Sequence, residues 1–283
     1  MENKAEFVFS DLADKASRLN DRVDGKFFQS LENDHIKYSH ISHIGQLFHR
    51  DISGYDTLIV RDGDIPFTDG LADTYLKHFK RIFCQNKCTN RDGVFAIPIG
   101  MEASDYIKTF DKFDVIKETR RVFRGVPQLE LYGNFSISTS AEKRIQCLNN
   151  FLNKPYFINK VTNRLPHPSY LPQQQYLDFC NDVLNSRFVL CPEGNGIDTH
   201  RFWETIYLGR IPVVLHNPVV DSFNVPKLVL NDWTEFEGES KKFIEEYDKN
   251  KFDYAPLTFN YWRQRICDDA KRQRKHPLTY NIL

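Results

Sequence analysis

The sequence predicts an α/β fold built on parallel β-strands. Short apolar runs alternate with amphipathic stretches through the second half of the chain, and this alternation is typical of strand–helix–strand units whose strands run parallel. At 283 residues, the chain is long enough for one large domain or two modest ones, each with its own core. Its hydrophobic content of 41% favours a packed globular protein over a disordered chain.

The second half contains regularly spaced predicted strands and helices. The apolar runs that we interpret as strands are 129–132, 156–160, 188–191, 212–215 and 227–230. The stretches with helical spacing of apolar residues are 141–152, 172–185, 199–208 and 238–248. Their order predicts a parallel sheet covered by helices.

The first half is less regular. Strands are predicted at 57–60, 81–84 and 94–97, and a helix at 72–79. The stretch 125–127 is the best linker candidate, because Gly and Pro interrupt regular structure and a predicted strand follows directly. We therefore predict an N-terminal domain over 1–126 and a C-terminal domain over 127–258. A last helix is predicted over 259–275.

The charge balance argues against nucleic acid as a partner. The 38 basic and 38 acidic side chains cancel, so no long-range field would attract the protein to a polyanion. A local basic group, Lys271, Arg272, Arg274 and Lys275, is interpreted as the solvated face of the last helix. Contact with a membrane surface or with an acceptor phosphate is the alternative.

The chain shows no signal for export or for a membrane span. Residues 1–24 carry charges throughout, and no apolar run reaches the length of roughly 18 residues that a membrane helix needs. The six cysteines include no Cys-x-x-Cys pair, and several lie in apolar segments, as buried free thiols do. We therefore expect a soluble protein in a reducing compartment such as the cytoplasm.

One segment combines a strand, a glycine-bearing loop and the start of a helix. The predicted strand 188–191 leads into Gly194 and Gly196, and the predicted helix begins at Thr199. Glycines allow positive φ angles and close backbone approach, and the free N–H groups of a helix N-terminus attract anions. The segment is therefore a candidate diphosphate site.

Arg201 and Glu204 lie three residues apart within this predicted helix and share one face. An arginine in the first helical turn is electrostatically unfavourable, because the helix dipole is positive there, and an anionic ligand would remove the conflict. The alternative is a surface ion pair between the two side chains, worth roughly a few tenths of a kcal/mol.

The run from Phe188 to Val214 resembles the donor-binding signature of exostosin-like (GT47-type) glycosyltransferases. The shared pattern is an apolar strand, Pro-x-Gly, a short loop, Arg-x-x-Glu and then Gly-x-Ile-Pro-Val. In this chain it reads FVLCPEGNGIDTHRFWETIYLGRIPVV. Weaker similarities to viral and bacterial sugar transferases occur at 84–86, at 96–100 and at 132–136 followed by Arg144.

The resemblance implies the GT-B architecture, in which two Rossmann-like domains face each other across a cleft. The N-terminal domain would receive a glycan acceptor, the C-terminal domain would hold a nucleotide sugar, and residues 259–283 would return to the N-terminal domain. The implied reaction is an inverting transfer that needs no metal or other cofactor, because arginines and a helix end stabilise the departing diphosphate. UDP-xylose is the expected donor. Compact soluble relatives occur in large algal viruses, which would place the chain in a host cytoplasm.

The resemblance also assigns roles to residues. Glu204 would bind the ribose hydroxyls, Arg201 and Arg144 would neutralise the diphosphate, and His200 would touch the donor. The loop would line the sugar and phosphates with Glu193, Gly194, Asn195, Gly196, Asp198 and Thr199.

The general base is predicted in the first half. Asp62 and Asp64 follow the predicted strand 57–60, and functional groups of α/β proteins gather beyond the carboxyl ends of such strands. An ordinary Asp-Gly turn is the alternative interpretation of these residues. Glu102 and Glu193 are rival candidates for the base.

Other functions are open. A GDP-fucose transferase would also pair a basic residue with a glutamate before a Gly-x-x-Pro-Val strand, and a catalytically inactive module would keep the nucleotide pocket without turnover. A dinucleotide-dependent redox protein is disfavoured, because no GxGxxG opens the first strand–helix unit. A metal site is not predicted, since the spacing of the histidines at 35, 40, 43 and 49 matches no zinc signature.

Overall fold

The computed structural model describes residues 2–102, 109–164, 171–248 and 250–268. It is an α/β protein with a four-stranded and a five-stranded parallel sheet, which confirms the predicted α/β class and the parallel arrangement of its strands. The end of the predicted last helix lies outside the described residues, as do the basic side chains predicted on its face, Lys271, Arg272, Arg274 and Lys275.

The four-stranded sheet is formed before the predicted linker. Its order is β1, β2, β4, β6, and all neighbours pair in parallel. The strands are β1 (Ile36–His40), β2 (Thr57–Arg61), β4 (Arg81–Cys84) and β6 (Val94–Ala96), with a separate small pair, β3 (Phe67–Thr68) and β5 (Lys87–Cys88). Every residue of β2 and β4 is buried, as expected for central parallel strands that are covered on both faces.

The five-stranded sheet follows the predicted linker. Its order is β11, β10, β9, β7, β8, again with all neighbours parallel. The strands are β7 (Leu129–Gly133), β8 (Phe157–Asn159), β9 (Ser186–Leu190), β10 (Ile211–Leu215) and β11 (Leu228–Leu230). Each of them overlaps a strand predicted from the sequence.

Helices connect and cover the strands. In chain order they are α1 (Glu2–Ser17), α2 (Gly25–Gln29), α3 (Asp69–Tyr75), α4 (Lys112–Val122), α5 (Ala141–Phe151), α6 (Gln173–Leu184), α7 (His200–Tyr207), α8 (Phe236–Glu245) and α9 (Phe259–Arg263). The predicted helix from residue 259 is thus α9, followed by a π-helical turn over Gln264–Asp268. Among the described helices, none has the length and apolar character needed to cross a membrane.

The two ends of the chain pack far from their neighbours in sequence. Helix α1 lies on the five-stranded sheet, where the rings of Phe9 and Phe188 meet edge to face at 5.8 Å. Helix α9 lies against the first half of the chain, where the ring of Trp262 meets that of Phe28 at 5.8 Å. One hydrophobic core contains residues from both sheets, so the two sheets are joined by packed side chains as well as by the linker.

Candidate active site

A cleft of about 840 Å³ opens between the two sheets. Segments that follow the carboxyl ends of strands in both sheets line it: Asp64 follows β2, Ile99 follows β6, Asn134 follows β7, Lys160 follows β8 and Gly194 follows β9. Helices α4, α6 and α7 add further wall residues. Open α/β sheets bind their ligands at this edge, so the cleft is the candidate active site.

Most of the predicted site residues line this cleft. They are Asp64, Arg144, Gly194, Asn195, Gly196, Asp198, Thr199, His200, Arg201 and Glu204. Among the described residues of the wall, Asp62, Glu193 and the rival base Glu102 do not occur. The fold therefore brings Asp64 from the first half into one cavity with the loop after β9.

The loop after β9 is closed on itself and tightly packed. The amide of Gly194 donates to the carbonyl of Gly196 over 3.0 Å. A Cβ atom on Gly194 would lie 3.0 Å from Nη2 of Arg144, and one on Gly196 would lie 2.9 Å from Nδ2 of Asn86. Neither glycine is among the described residues with a positive φ angle. Of the two properties of glycine considered from the sequence, close packing rather than a positive φ angle is the one that this loop uses.

Asn86 and Asp198 fasten this loop to the first half of the chain. The amide of Asp198 donates to Oδ1 of Asn86 over 3.0 Å, and Nδ2 of Asn86 donates to the carbonyl of Gly63 over 2.9 Å. The Asp198 carboxylate accepts from the amide of Ile99 over 2.7 Å and from Nε1 of Trp203 over 2.8 Å. Burial raises its pKa to about 7, although these donors act in the opposite direction. With 4% of its surface exposed, Asp198 shapes the loop more than it contacts a ligand.

Glu204 is the centre of a buried polar cluster, with 2% of its surface exposed. Its Oε1 accepts from Nζ of Lys112 over 2.9 Å and from the hydroxyl of Tyr176 over 3.1 Å, while Oε2 accepts from Nη1 of Arg201 over 3.1 Å. Burial raises the pKa of this carboxyl, but Lys112 and Arg201 outweigh burial and lower it to about 2. Glu204 is therefore ionised at neutral pH.

Lys112 enters the cluster from the start of α4. Its ammonium group lies 2.7 Å from Oε2 of Glu102 as well as 2.9 Å from Glu204, and 4.9 Å from the centre of the Tyr176 ring. Burial lowers the pKa of Lys112, but the two carboxylates outweigh burial, so the net shift is upward. The rival base Glu102 is therefore engaged in an ion pair.

Arg201 forms the predicted pair with Glu204, but in the cleft wall rather than on an open surface. Its guanidinium carbon lies 3.7 Å from the centre of the Phe179 ring, a stacking geometry that holds the group flat against α6. Its side chain is 20% exposed, against 3% for Glu204. The arginine is thus the part of the pair that a ligand reaches.

Arg144 lies beneath the loop after β9, with 8% of its surface exposed. It donates to the carbonyls of Ser136 over 2.6 Å and Glu193 over 2.8 Å, and it has no ion pair with a carboxylate of the described chain. Burial is the main cause that lowers its pKa to about 10, and the neighbouring Arg201 adds to the effect. The guanidinium group of Arg144 therefore stays charged at neutral pH.

His200 is the first residue of α7 and lies in the cleft wall. Its Nδ1 lies 2.8 Å from the carbonyl oxygen of Gly100, which ties the ring to the first half of the chain. Burial lowers the pKa of the imidazole below its ordinary value of 6.5, although Glu102 and Glu204 act in the opposite direction. The ring is therefore neutral at pH 7.

The predicted bases occupy different surroundings. Asp64 is exposed and faces the cleft. Asp62 has a φ of 60° and accepts a hydrogen bond from the hydroxyl of Tyr38, and burial raises the pKa of its carboxyl. The carboxylate of Glu193 is paired with Lys143. Asp64 is thus the predicted base whose position allows contact with an acceptor in the cleft.

The described residues include no group of three His, Cys, Asp or Glu side chains placed to hold a metal ion. Of the clustered histidines, His40 and His43 have ring centres 5.3 Å apart. Nδ1 of His40 accepts from the amide of Ser42 over 3.2 Å, so this histidine caps the turn that follows β1.

Three residues of the site were not predicted from the sequence. Lys112 and Tyr176 line the cleft, and Asn86 holds the loop after β9. Asn86 belongs to the stretch 84–86, whose weak similarity to sugar transferases is a usable signal. Tyr176 lies on the predicted helix 172–185, one turn from Phe179. The helical spacing places the two rings on one face of the helix, but it does not indicate that the Tyr176 hydroxyl contacts Glu204. Lys112 lies in no predicted element.

Comparison with known proteins assigns no family to the chain. It matches no protein-family model, and a search of the curated proteins found no similar sequence.

Proposed function

We propose that this protein transfers a sugar from a nucleotide diphosphate donor to a hydroxyl group of a glycan. One observation carries the proposal: the strand, loop and helix from Phe188 to Tyr207 form a wall of the cleft, with Arg201 and Arg144 beside the N-terminus of α7. A helix N-terminus and two guanidinium groups form a strong environment for a diphosphate.

The ion pairs beside the loop after β9 do not include Arg144. Arg201 shares Glu204 with Lys112, and Lys112 in turn is shared with Glu102. These four side chains pair with one another, whereas the positive charge of Arg144 has no carboxylate partner among the described residues. A diphosphate between the two arginines would compensate that charge and reduce the repulsion between them.

Glu204 is the proposed contact for a ribose hydroxyl. A carboxylate offers about four lone-pair directions, and Lys112, Tyr176 and Arg201 use three of them. We therefore propose that Glu204 accepts from one ribose hydroxyl, rather than from two as the resemblance implies.

The arrangement of the sheets supports a GT-B type of mechanism. Residues that follow strands of both sheets share the cleft, so a donor on the five-stranded side would meet an acceptor from the four-stranded side. The attacking oxygen would displace the diphosphate with inversion, and the arginines together with the end of α7 would stabilise the charge of the leaving group. Asp64 and His200 are the two groups in the wall best placed to take the proton from the acceptor.

Calorimetry tests the donor site. Wild-type protein is titrated with UDP, with GDP and with inorganic pyrophosphate, and UDP release from UDP-xylose and a panel of other UDP- and GDP-sugars is followed by NMR in the presence of EDTA. We expect UDP to bind more tightly than GDP, and UDP-xylose to be turned over. Arg201→Ala should abolish UDP binding.

Arg91→Ala is the matched control, because Arg91 forms an exposed ion pair with Asp73 away from the cleft. It should bind UDP as the wild type does. If wild-type protein binds none of the nucleotides, the proposal is wrong. Preference for GDP would indicate a fucosyltransferase-like donor, and UDP binding without turnover of any donor would indicate an inactive binding module.

A further inference from the structure

We infer that His200 is the general base that removes the proton from the acceptor hydroxyl. The inference rests on the proposed sugar transfer and names the residue that this reaction needs in addition to the donor site. It replaces Asp64, the base expected from the sequence.

The contact with Gly100 fixes which ring nitrogen of His200 is protonated. A carbonyl oxygen only accepts hydrogen bonds, so Nδ1, which lies 2.8 Å from it, must carry the proton. In a neutral ring, Nε2 then holds a lone pair. Within the described ranges, no residue forms a hydrogen bond with Nε2, and the side chain lines the cleft. The ring therefore offers a proton acceptor to the site.

The position of this carbonyl is itself fixed by the fold. Gly100 has a φ of +66°, and a Cβ atom there would lie 2.1 Å from the carbonyl oxygen of Val23. No other residue type fits such a backbone. The carbonyl that orients Nδ1 thus belongs to a backbone segment packed directly against Val23, and an oriented ring is what a catalytic histidine needs.

Burial, more than the surrounding charges, keeps the ring neutral. Glu102 after β6 and Glu204 on α7 favour the protonated ring, whereas Lys112 on α4 and, most strongly, burial disfavour it. Because the net shift of the pKa is downward, the ring is a free base at neutral pH. A base of this kind operates close to physiological pH.

The carboxylates of the cleft are less suitable than His200 as the general base. Glu204 and Asp198 each accept several hydrogen bonds in buried positions. On α6, Asp182 accepts from the hydroxyl of Tyr132 over 3.1 Å and Asp178 accepts from the side-chain amide of Gln174 over 2.8 Å. Asp64 is exposed, so water surrounds it and competes with an acceptor for its oxygens. His200 is the acceptor group that is both oriented and sheltered.

The proton-transfer step balances without a further reactant. The acceptor oxygen forms a bond to the anomeric carbon as the bond from that carbon to the donor phosphate oxygen breaks. The hydroxyl proton passes to Nε2 of His200, which becomes an imidazolium, and the nucleoside diphosphate leaves as an anion. The imidazolium then returns its proton to solvent.

His200→Asn is the decisive variant. Nδ2 of asparagine occupies about the place of the imidazole Nδ1 and still donates to Gly100, but the variant has no base at the position of Nε2. We expect UDP release from UDP-xylose to fall by about two to four orders of magnitude, while the Kd for UDP changes less than about threefold. Asp64→Asn should lower the rate less than about tenfold. His216→Asn, at a surface histidine with a 58% exposed side chain, should leave both quantities unchanged.

The tautomer of His200 gives a second readout that needs no substrate. In protein labelled with ¹⁵N-histidine, the resonances absent from His200→Asn identify the ring, and we expect its Nδ1-protonated neutral tautomer at pH 7. A ring protonated on Nε2, or on both nitrogens, overturns the inference. So does near wild-type turnover in His200→Asn.

Failure of the donor proposal looks different. In that case wild-type protein binds no nucleotide, or it binds UDP and turns over no donor. The assignment of His200 as the base is then wrong as well, because it depends on sugar transfer. If wild-type protein is active and Asp64→Asn is the variant that loses activity, sugar transfer stands and His200 is not the base.

Discussion

The ammonium group of Lys112 lies 2.9 Å from Oε1 of Glu204 and joins the start of α4 to α7. Both side chains are buried, with 9% and 3% of their surfaces exposed. Glu102 completes the arrangement, 2.7 Å from the same ammonium group. A buried pair of this kind adds little net stability by itself, but removal of one partner leaves an uncompensated charge in the interior.

Lys112→Met should therefore destabilise the protein strongly. We expect the free energy of unfolding in urea to fall by about 3–5 kcal/mol, because the buried carboxylate of Glu204 and the half-buried carboxylate of Glu102 both lose this cation. The control is Lys154→Met, since Lys154 pairs with Glu237 at an exposed site and should contribute less than about 1 kcal/mol. Equal losses in the two variants would mean that the buried cluster does not have the stated role.

Lys112→Met should also weaken the binding of inorganic pyrophosphate. Without Lys112, Glu204 attracts Arg201 alone, and the cleft loses one positive charge. We expect the affinity measured by calorimetry to fall at least about tenfold, which corresponds to roughly 1.4 kcal/mol. Unchanged affinity in a folded Lys112→Met variant would show that Arg201 does not depend on its neighbour.

The stability of the protein should fall in acid because of Glu204. The pKa of this carboxyl is about 2 in the folded protein against an ordinary value of 4.5. A folded pKa below the unfolded one means that the stabilisation is complete above pH 4.5 and is lost as the pH falls towards 2. The full effect is about 3 kcal/mol. The unfolding free energies of wild type and Glu204→Gln are measured from pH 7 to pH 3. The difference between them should become smaller only below about pH 4.5. A difference that stays constant would contradict the lowered pKa of Glu204.

Arg201→Lys should not be a conservative change. The guanidinium group stacks on Phe179 and reaches Glu204 at the same time, and an ammonium group has neither the flat face nor the forked donors for this. We expect UDP affinity to fall by about tenfold or more in calorimetry. Phe179→Leu should give a smaller loss, because it removes the stacking surface and keeps the charge. Wild-type affinity in Arg201→Lys would mean that charge alone is recognised.

The second half of the fold was predictable because its signals are local. In β9 and α7, for example, a fully apolar run is followed by glycines and by a helical spacing of apolar residues, and both elements occur where predicted. Helix α1 was missed although the signal was present: Ala5, Val8, Leu12 and Ala16 recur at helical spacing and are buried. The charged residues between them argue against an export signal, and they are equally typical of the exposed face of an amphipathic helix.

The parts of the site that were not predicted depend on distant contacts. Lys112 meets Glu204 across 92 positions of sequence, and the amide of Asp198 meets Asn86 across 112. Neither the periodicity nor the spacing of residues indicates such contacts, because they depend on how the two sheets are arranged in space. The donor-side residues were predicted because they lie on one continuous strand, loop and helix.

Gly196→Ala tests whether the loop after β9 depends on its packing against Asn86. The new methyl group would lie 2.9 Å from Nδ2 of Asn86, whose side chain is held between the amide of Asp198 and the carbonyl of Gly63. Because neither bond survives a shift of the amide, we expect a loss of about 1–3 kcal/mol in unfolding free energy and weaker UDP binding. In an Asn86→Ala background the clash is absent, so the same substitution should cost less by about 1 kcal/mol or more.

Gly238→Ala is the control for this glycine. It lies on α8 with nothing within 4 Å of a Cβ atom, so alanine should stabilise the helix by about 0.5–1 kcal/mol. The combined result separates two explanations for Gly196. If the loss of stability in Gly196→Ala disappears in the Asn86→Ala background, glycine is needed so that Asn86 can hold the loop against the first half of the chain. If the loss persists, the backbone of the loop itself, or a ligand above it, leaves no space for a side chain.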